Sequence, residues 1–223
     1  VSNCELVNER KTIVTKEHFE KLLEELNKQT LIAIDTETTS VNPHTAQMLS
    51  IGVVEFWRYG DKLSPAKCID EKFFATPYEV PADASRVNGL TRSKLNELSG
   101  GLSLEQSKSL IESYLYSGYN LIGYNINKYD LPVINSNVMN IGWERPNFGR
   151  VIDVFELAKR RWGRELPNKK LGTVFKRVLA ETGITEKQVK NAFRLYSKNA
   201  NVQAHNAAWD AYMTYFIYKY LVS

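Results

Sequence analysis

A chain of 223 residues that is 43% hydrophobic and 24% charged holds enough apolar material for one ordinary core, so a single domain is the default expectation. No run approaches the roughly 18 to 20 uninterrupted apolar residues of a membrane-spanning helix, and the polar start Val1-Ser2-Asn3-Cys4-Glu5 lacks a basic-then-apolar signal pattern; a cytoplasmic protein with no membrane partner is expected. Cys4 and Cys68 make neither a metal-ligand spacing nor a disulfide framework, which suits a reducing compartment, and a net charge of +4 is weak grounds for an anionic partner.

Residues 15–26 place Phe19, Leu22, Leu23 and Leu26 at helical spacing behind a capped start at Thr15, which predicts a helix within an N-terminal extension of residues 1–29. The core, residues 30–223, opens with Leu31-Ile32-Ala33-Ile34, an apolar run suited to a strand buried on both faces. That run stops at the polar Asp35-Thr36-Glu37-Thr38-Thr39-Ser40, which makes Asp35 a strand-end residue. Residues 48–57 and 67–75 are β-rich and separated by the turn-like Tyr59-Gly60-Asp61-Lys62, so three neighbouring strands come first. Elements then alternate: a helix over 104–116, a strand over 120–124, a helix over 131–139 with Pro132 in its first turn, and a short strand at Val151-Ile152. Helices follow over 154–161, 170–179, 185–195 and 207–221, and Leu98-Ser99-Gly100-Gly101-Leu102-Ser103 marks a turn. A meander followed by alternating elements implies a mixed α/β sheet flanked by helices.

Residues two apart on a strand leave the same face, so the carboxylates of Asp35 and Glu37 point into one small volume. Like charges held that close need something positive between them, and a hard divalent cation is the usual answer. Asp130 lies directly after a strand and at a helix start, where an aspartate serves either as a structural N-cap or as a ligand. In His205-Asn206-Ala207-Ala208-Trp209-Asp210, Asn206 is a reasonable N-cap, which leaves His205 on the preceding loop and Asp210 in the first turn, where the helix dipole favours an anion. His205 is one of three histidines, with His18 and His44, and a lone histidine has a structural reading as well as a catalytic one. Lys159, Arg160, Arg161, Arg164, Lys169, Lys170, Lys176 and Arg177 face the single acid Glu165 within their stretch, either as a solvated helix face or as phosphate contacts. The aromatics Tyr212, Tyr215, Phe216, Tyr218 and Tyr220 read as packing of an amphipathic helix rather than as base-stacking platforms.

The blocks Asp35-Thr36-Glu37-Thr38-Thr39, Gly123-Tyr124-Asn125 with Tyr129-Asp130, and His205 to Asp210 resemble, in order, the three sequence blocks of the DEDDh 3′→5′ exonuclease superfamily. Asn88-Gly89-Leu90-Thr91 and Val151-Ile152-Asp153 are similar to connecting segments of that family, and the Asn125 to Asp130 interval is more similar to three-prime repair exonucleases than to polymerase proofreading subunits. The resemblance implies an RNase H-like mixed five-stranded sheet flanked by helices, in one exonuclease domain whose catalytic core is residues 30–223.

It also implies a function. Two Mg²⁺ or Mn²⁺ ions would be held by Asp35, Glu37, Asp130 and Asp210, with His205 as general base, and nucleotides would be removed from the 3′ end of DNA, single-stranded by preference. Glu37, Thr38 and Tyr129 would border the terminal nucleotide. Tyr124, Asn88 and Ser40 depart from residues frequent in the family, which bears on substrate geometry rather than on the ligands. The alternatives are an exoribonuclease of the same fold acting on RNA, a catalytically silent nucleic-acid-binding domain, and the proofreading part of a larger polymerase.

Overall fold

The structure is a computed structural model that describes residues 28–197 and 205–223. The helix expected over 15–26 lies outside the described residues. The chain begins with β1 (Gln29–Thr38), β2 (Met48–Tyr59), the two-residue β3 (Lys62–Leu63) and β4 (Cys68–Phe73). Helices α1 (Ala82–Asn88) and α2 (Arg92–Ser99) follow, then a 3₁₀ turn (Glu105–Ser107) leading into α3 (Lys108–Leu115). The alternating half comprises β5 (Asn120–Gly123), α4 (Asp130–Asn140), β6 (Val151–Asp153), α5 (Val154–Trp162), α6 (Leu171–Thr182), α7 (Glu186–Tyr196) and α8 (Ala207–Leu221). Among the described residues, no helix is long and apolar enough to cross a membrane.

The sheet is mixed, as expected: β1 pairs antiparallel with β2 and parallel with β5, and β5 pairs parallel with β6. On its other edge β2 carries β4, and beyond it β3 extends the hairpin at Arg58 and Tyr59. The expected five strands are thus present, with β3 as a short addition.

Alternation along β1 sorts its residues between two apolar layers. Leu31 and Ala33 join Val54 and Phe56 of β2 under α5, α6, α7 and α8, while Ile32 and Ile34 face α3 and α4 with Ile51 and Val53. The parity that sends Leu31 and Ala33 toward α8 sends Asp35 and Glu37 there too. Two sequence expectations change here. β1 does not stop at Asp35 but continues to Thr38; what ends is β5, whose last pair with β1 is Ala33 with Ile122. And α8 is not amphipathic: eleven of its fifteen residues are buried, because it lies between the sheet and the outer helices. Its aromatics do pack internally, with Tyr215 4.7 Å from Phe56 between ring centroids.

Helices α1 and α2 were not visible in the sequence pattern. α1 buries no residue and α2 buries only Leu95, so neither carries an apolar period. Gly89 at φ 70° and Gly100 at φ 61° end them in the left-handed conformation that glycine adopts without steric cost.

Candidate active site

The site sits where β1 outruns β5 and the first turn of α8 meets the sheet. Cross-strand pairing puts Asp35 of β1 opposite Gly52 of β2, and Gly52 opposite Glu71 of β4, all on the α8 face. A Cβ on Gly52 would stand 2.1 Å from the Ala207 carbonyl carbon and 2.2 Å from the Ala208 nitrogen. Only a glycine admits the helix there. The close approach brings Asp210 down beside β1, and one carboxylate oxygen each from Asp35, Glu37 and Asp210 lies within 4.8 Å of the others.

Asp130 stands beside this trio rather than in it. It is the first residue of α4 but does not cap it; its Oδ1 accepts from the Thr36 backbone N–H at 3.0 Å and from Thr36 Oγ1 at 2.7 Å. Beyond the end of β5, this carboxylate takes a strand N–H that has lost its neighbouring strand. The loop before it is held by Asp153, which accepts from the backbone N–H of Asn125 at 2.9 Å and also caps α5 through Phe155. Asn125 has φ 60°, which asparagine tolerates better than most residues.

The electrostatics are those of an anionic cluster with no ion-pair partner among the described residues. Burial lifts the Asp35 carboxyl well above the usual range, with Asp130, Asp210, Glu37 and Glu71 adding to it. Burial, then Asp210, Glu71 and Asp130, push Glu37 up to about 9 against a hydrogen bond from Asn88. Asp210 rises to about 7 for the same first reason, opposed by the His205 backbone N–H, and Asp130 to about 6, opposed by Thr36. Glu71 is raised as well, again by burial. Asp210 Oδ1 is buried and has no hydrogen-bond partner among the described residues. An orphaned carboxylate oxygen facing two other carboxylates fits a hard divalent cation, which would lower all these values.

Next to the trio opens a cavity of about 250 Å³, bordered by Glu37, Thr38 and Tyr129 from one side and by Ala84, Val87 and Asn88 of α1 from the other. The Tyr129 hydroxyl bonds both the Thr38 hydroxyl and the Ser40 carbonyl, pinning the end of β1. Asn88 reaches the Thr38 carbonyl at 3.3 Å. The α1 wall and Glu71 are the parts of this region that sequence reasoning missed. A cue to Glu71 existed: it shares strand parity with the buried Ile69, so it had to be an acid on a core-facing position.

His205 is exposed on the loop before α8, at φ 59°, and its side chain makes no hydrogen bond among the described residues. Asn206 caps α8 as expected, accepting from the Trp209 N–H at 3.1 Å, and Asp210 lies in the first turn. The basic stretch is more neutralised than the sequence suggested. Arg161 and Arg177 pair with Glu181, Arg177 also with Glu165, and Lys159 with Glu156.

The chain superposes on exonuclease I with a TM-score of 0.61 at 16% identity, covering 86% of this chain and 40% of that one. It superposes on the zinc-bound E. coli exonuclease I complex with single-stranded DNA at a TM-score of 0.56 and 16% identity, with the same coverage. The third neighbour is exonuclease X in complex with 5′-overhanging duplex DNA, at a TM-score of 0.56 and 15% identity, covering 86% of this chain and 90% of that one. The chain has the RNase H-like fold. It spans about two fifths of the length of exonuclease I and nearly all of exonuclease X. No family model and no curated protein matches its sequence.

Proposed function

We propose that this chain is a metal-dependent 3′→5′ exonuclease that removes nucleotides from DNA, with single-stranded 3′ ends preferred. The observation that carries the reading is the convergence of Asp35, Glu37 and Asp210 with a buried, unpartnered oxygen on Asp210. The fold shared with exonucleases solved with DNA, one of them zinc-bound, supports it.

Asp35, Glu37 and Asp210, with the second oxygen of Asp130, are the groups that would hold two Mg²⁺ or Mn²⁺ ions. When bound, such ions stabilise the attacking and leaving oxygens of an in-line phosphodiester displacement. The protein's own groups do the rest. The cavity between Thr38, Tyr129 and α1 receives the terminal nucleotide, and Glu37 and Thr38 border its sugar. The Tyr129 hydroxyl, held by Thr38 and Ser40, fixes that wall. His205, on the loop one residue before the Asn206 cap, takes a proton on its imidazole from the attacking water.

The test is digestion of 5′-end-labelled single-stranded DNA, matched RNA and recessed duplex, with Mg²⁺, Mn²⁺ or chelator, resolved at single-nucleotide steps. A ladder shortening from the 3′ end, abolished by chelator and strongest on single-stranded DNA, is expected. Cleavage indifferent to chelator, or no shortening of any substrate, would remove the reading, and faster degradation of RNA would move the substrate to RNA.

A further inference from the structure

Glu71 has no part in the chemistry above, yet it is buried at 8% exposure inside an anionic cluster. It raises the cost of ionising Asp35, Glu37 and Asp210. A carboxylate is not kept in such a place without compensation. Its compensation is a set of donors. Ser50 Oγ donates to Oε1 at 3.0 Å and Asn206 Nδ2 to Oε2 at 2.5 Å, and the backbone N–H groups of Ala207 and Ala208 lie near enough to favour its charged form.

Those two amides open α8, and a helix start leaves four such donors without an internal partner. Asn206 Oδ1 serves another of them at Trp209. Glu71 therefore holds the capping Asn206 from a different strand, across the bare backbone of Gly52 on which Ala207 and Ala208 rest. The negative charge also lies at the positive end of the helix dipole. Both oxygens of Glu71 accept hydrogen bonds, unlike Asp210 Oδ1, and Glu71 lies outside the group of three carboxylates that converge.

We propose that Glu71 is a positioning residue that seats the first turn of α8 on Gly52 and thereby sets where Asp210 stands against Asp35 and Glu37. The proposal rests on the metal-dependent reading of the site. It accords with the Asp210 oxygen that has no partner among the described residues: Asn206, held by Glu71, caps the helix start, so Asp210 is not needed there. Glutamine cannot replace Glu71, because its one acceptor oxygen cannot serve every donor and its amide N–H₂ would meet Asn206 Nδ2 or the helix amides.

The full chain is compared with Glu71→Gln and with Asn206→Ser, the latter keeping a helix-capping oxygen while losing the Nδ2 bond to Glu71. Three quantities are read: hydrogen exchange at the Ala207 and Ala208 amides, Mn²⁺ affinity by calorimetry, and kcat and KM on a single-stranded oligonucleotide. Glu71→Gln is expected to speed exchange at those two amides but not at mid-helix Tyr215. It should weaken Mn²⁺ and lower kcat by about 10- to 100-fold each, as loss of a ligand-orienting group does, with KM within about twofold. Asn206→Ser should shift all three in the same direction by less, and it carries the test if Glu71→Gln does not fold.

Unchanged exchange in the folded variants overturns the proposal. So does wild-type Mn²⁺ affinity with wild-type kcat, which would leave Glu71 a purely structural cap. Complete loss of Mn²⁺ binding with normal exchange overturns it too, by making Glu71 a ligand. Absence of Mn²⁺ binding and hydrolysis in the wild type would sink the nuclease reading instead, and the exchange comparison would still decide whether Glu71 holds the helix.

Discussion

Helices α4 and α8 each deliver an aspartate to β1 from their first turn, Asp130 and Asp210, and the two starts are built differently. α4 has no side-chain cap, and Asp130 itself takes the N–H and hydroxyl of Thr36, stitching helix to strand. α8 has a separate cap, Asn206, itself bonded to Glu71, and Asp210 is left with an oxygen that has no partner among the described residues. Two hydrogen bonds from Thr36 oppose the burial of Asp130, whereas only the His205 backbone N–H opposes that of Asp210. A carboxylate whose hydrogen bonds are met by the protein fixes geometry, whereas one denied them waits for a cation.

Substitution separates the two. Asp210→Asn should abolish measurable hydrolysis, a loss of at least ~10³-fold in kcat, while the fold is retained because a repelling charge has left the cluster. Asp130→Asn keeps an oxygen for Thr36 and should cost less activity. Asp130→Ala should destabilise by about 1–3 kcal/mol, since the Thr36 donors are then buried without a partner. Turnover on single-stranded DNA and chemical unfolding of the three variants provide the measurements. Equal activity losses in Asp130→Asn and Asp210→Asn would erase the distinction between the two helix starts.

A second test concerns the loop that leads into α8. His205 stands at φ 59°, a conformation that costs an alanine more than an asparagine, so His205→Asn is the cleaner removal of the imidazole. It should reduce kcat by roughly 10²–10⁴-fold, the usual contribution of a positioned base, with Mn²⁺ affinity nearly unchanged. Its backbone N–H to Asp210 is kept. Full kcat in this variant would leave the proton to another group and His205 to the loop alone.

How much of this could be read from the sequence follows the range of the interactions. Asp35 and Glu37 share a face by strand parity alone, and Asn206 announces the start of α8 four residues before Asp210, so both were legible locally. Glu71 enters through strand register, 36 residues from Asp35 by chain but in the same cross-strand row with only Gly52 between them, and no local pattern encodes that register. Gly52 likewise reads as one more small residue in a β-rich run until α8 is laid on it. Asn88 was singled out through the resemblance, but the wall that Ala84 and Val87 add was hidden because α1 is short and buries nothing, leaving no apolar period to detect.

A third test uses the shared electrostatics of the two helix starts. Asp35, Glu37, Asp130 and Asp210 all hold protons more tightly in the folded chain than in an unfolded one. Between about pH 4, where free carboxylates titrate, and the Glu37 value of about 9, the folded state binds more protons than the unfolded state. Stability therefore falls as pH rises through that window. Metal-free protein should melt several degrees lower at pH 8.5 than at pH 5.5, each kcal/mol being worth about 2–4 °C at this chain length. Mg²⁺ should restore more of the loss at pH 8.5, because a cation competes with protons for the same oxygens. A flat or rising melting profile in chelator would contradict the buried, unneutralised cluster.

The smallest expected effect lies outside both helix starts, in the basic stretch from Lys159 to Arg177. Its members divide by what they touch. Arg161 and Arg177 lean on Glu181, whose carboxyl is held down to about 2 by hydrogen bonds from Tyr220, Trp162 and Arg177 itself. Lys169 and Lys170 have no ion-pair partner among the described residues, and the Tyr124 hydroxyl bonds the Lys169 carbonyl at 2.6 Å. Tyr124 directly follows β5, at the loop that runs on to Asp130, so this bond ties the lysine segment to that loop, while Arg161 ties α5 to α6. Replacing Lys169 and Lys170 with glutamine should raise KM a few-fold at moderate salt and leave kcat alone. If both contact phosphates of a single strand, the salt dependence of binding should flatten by about 1.4 in slope, at roughly 0.7 per phosphate contact. Replacing Arg161 and Arg177 should leave that slope unchanged, because these exposed pairs hold helices rather than phosphates. A slope that changes with the arginines and not with the lysines would put the nucleic-acid path over α5 and α6, away from the helix start that carries Asp130.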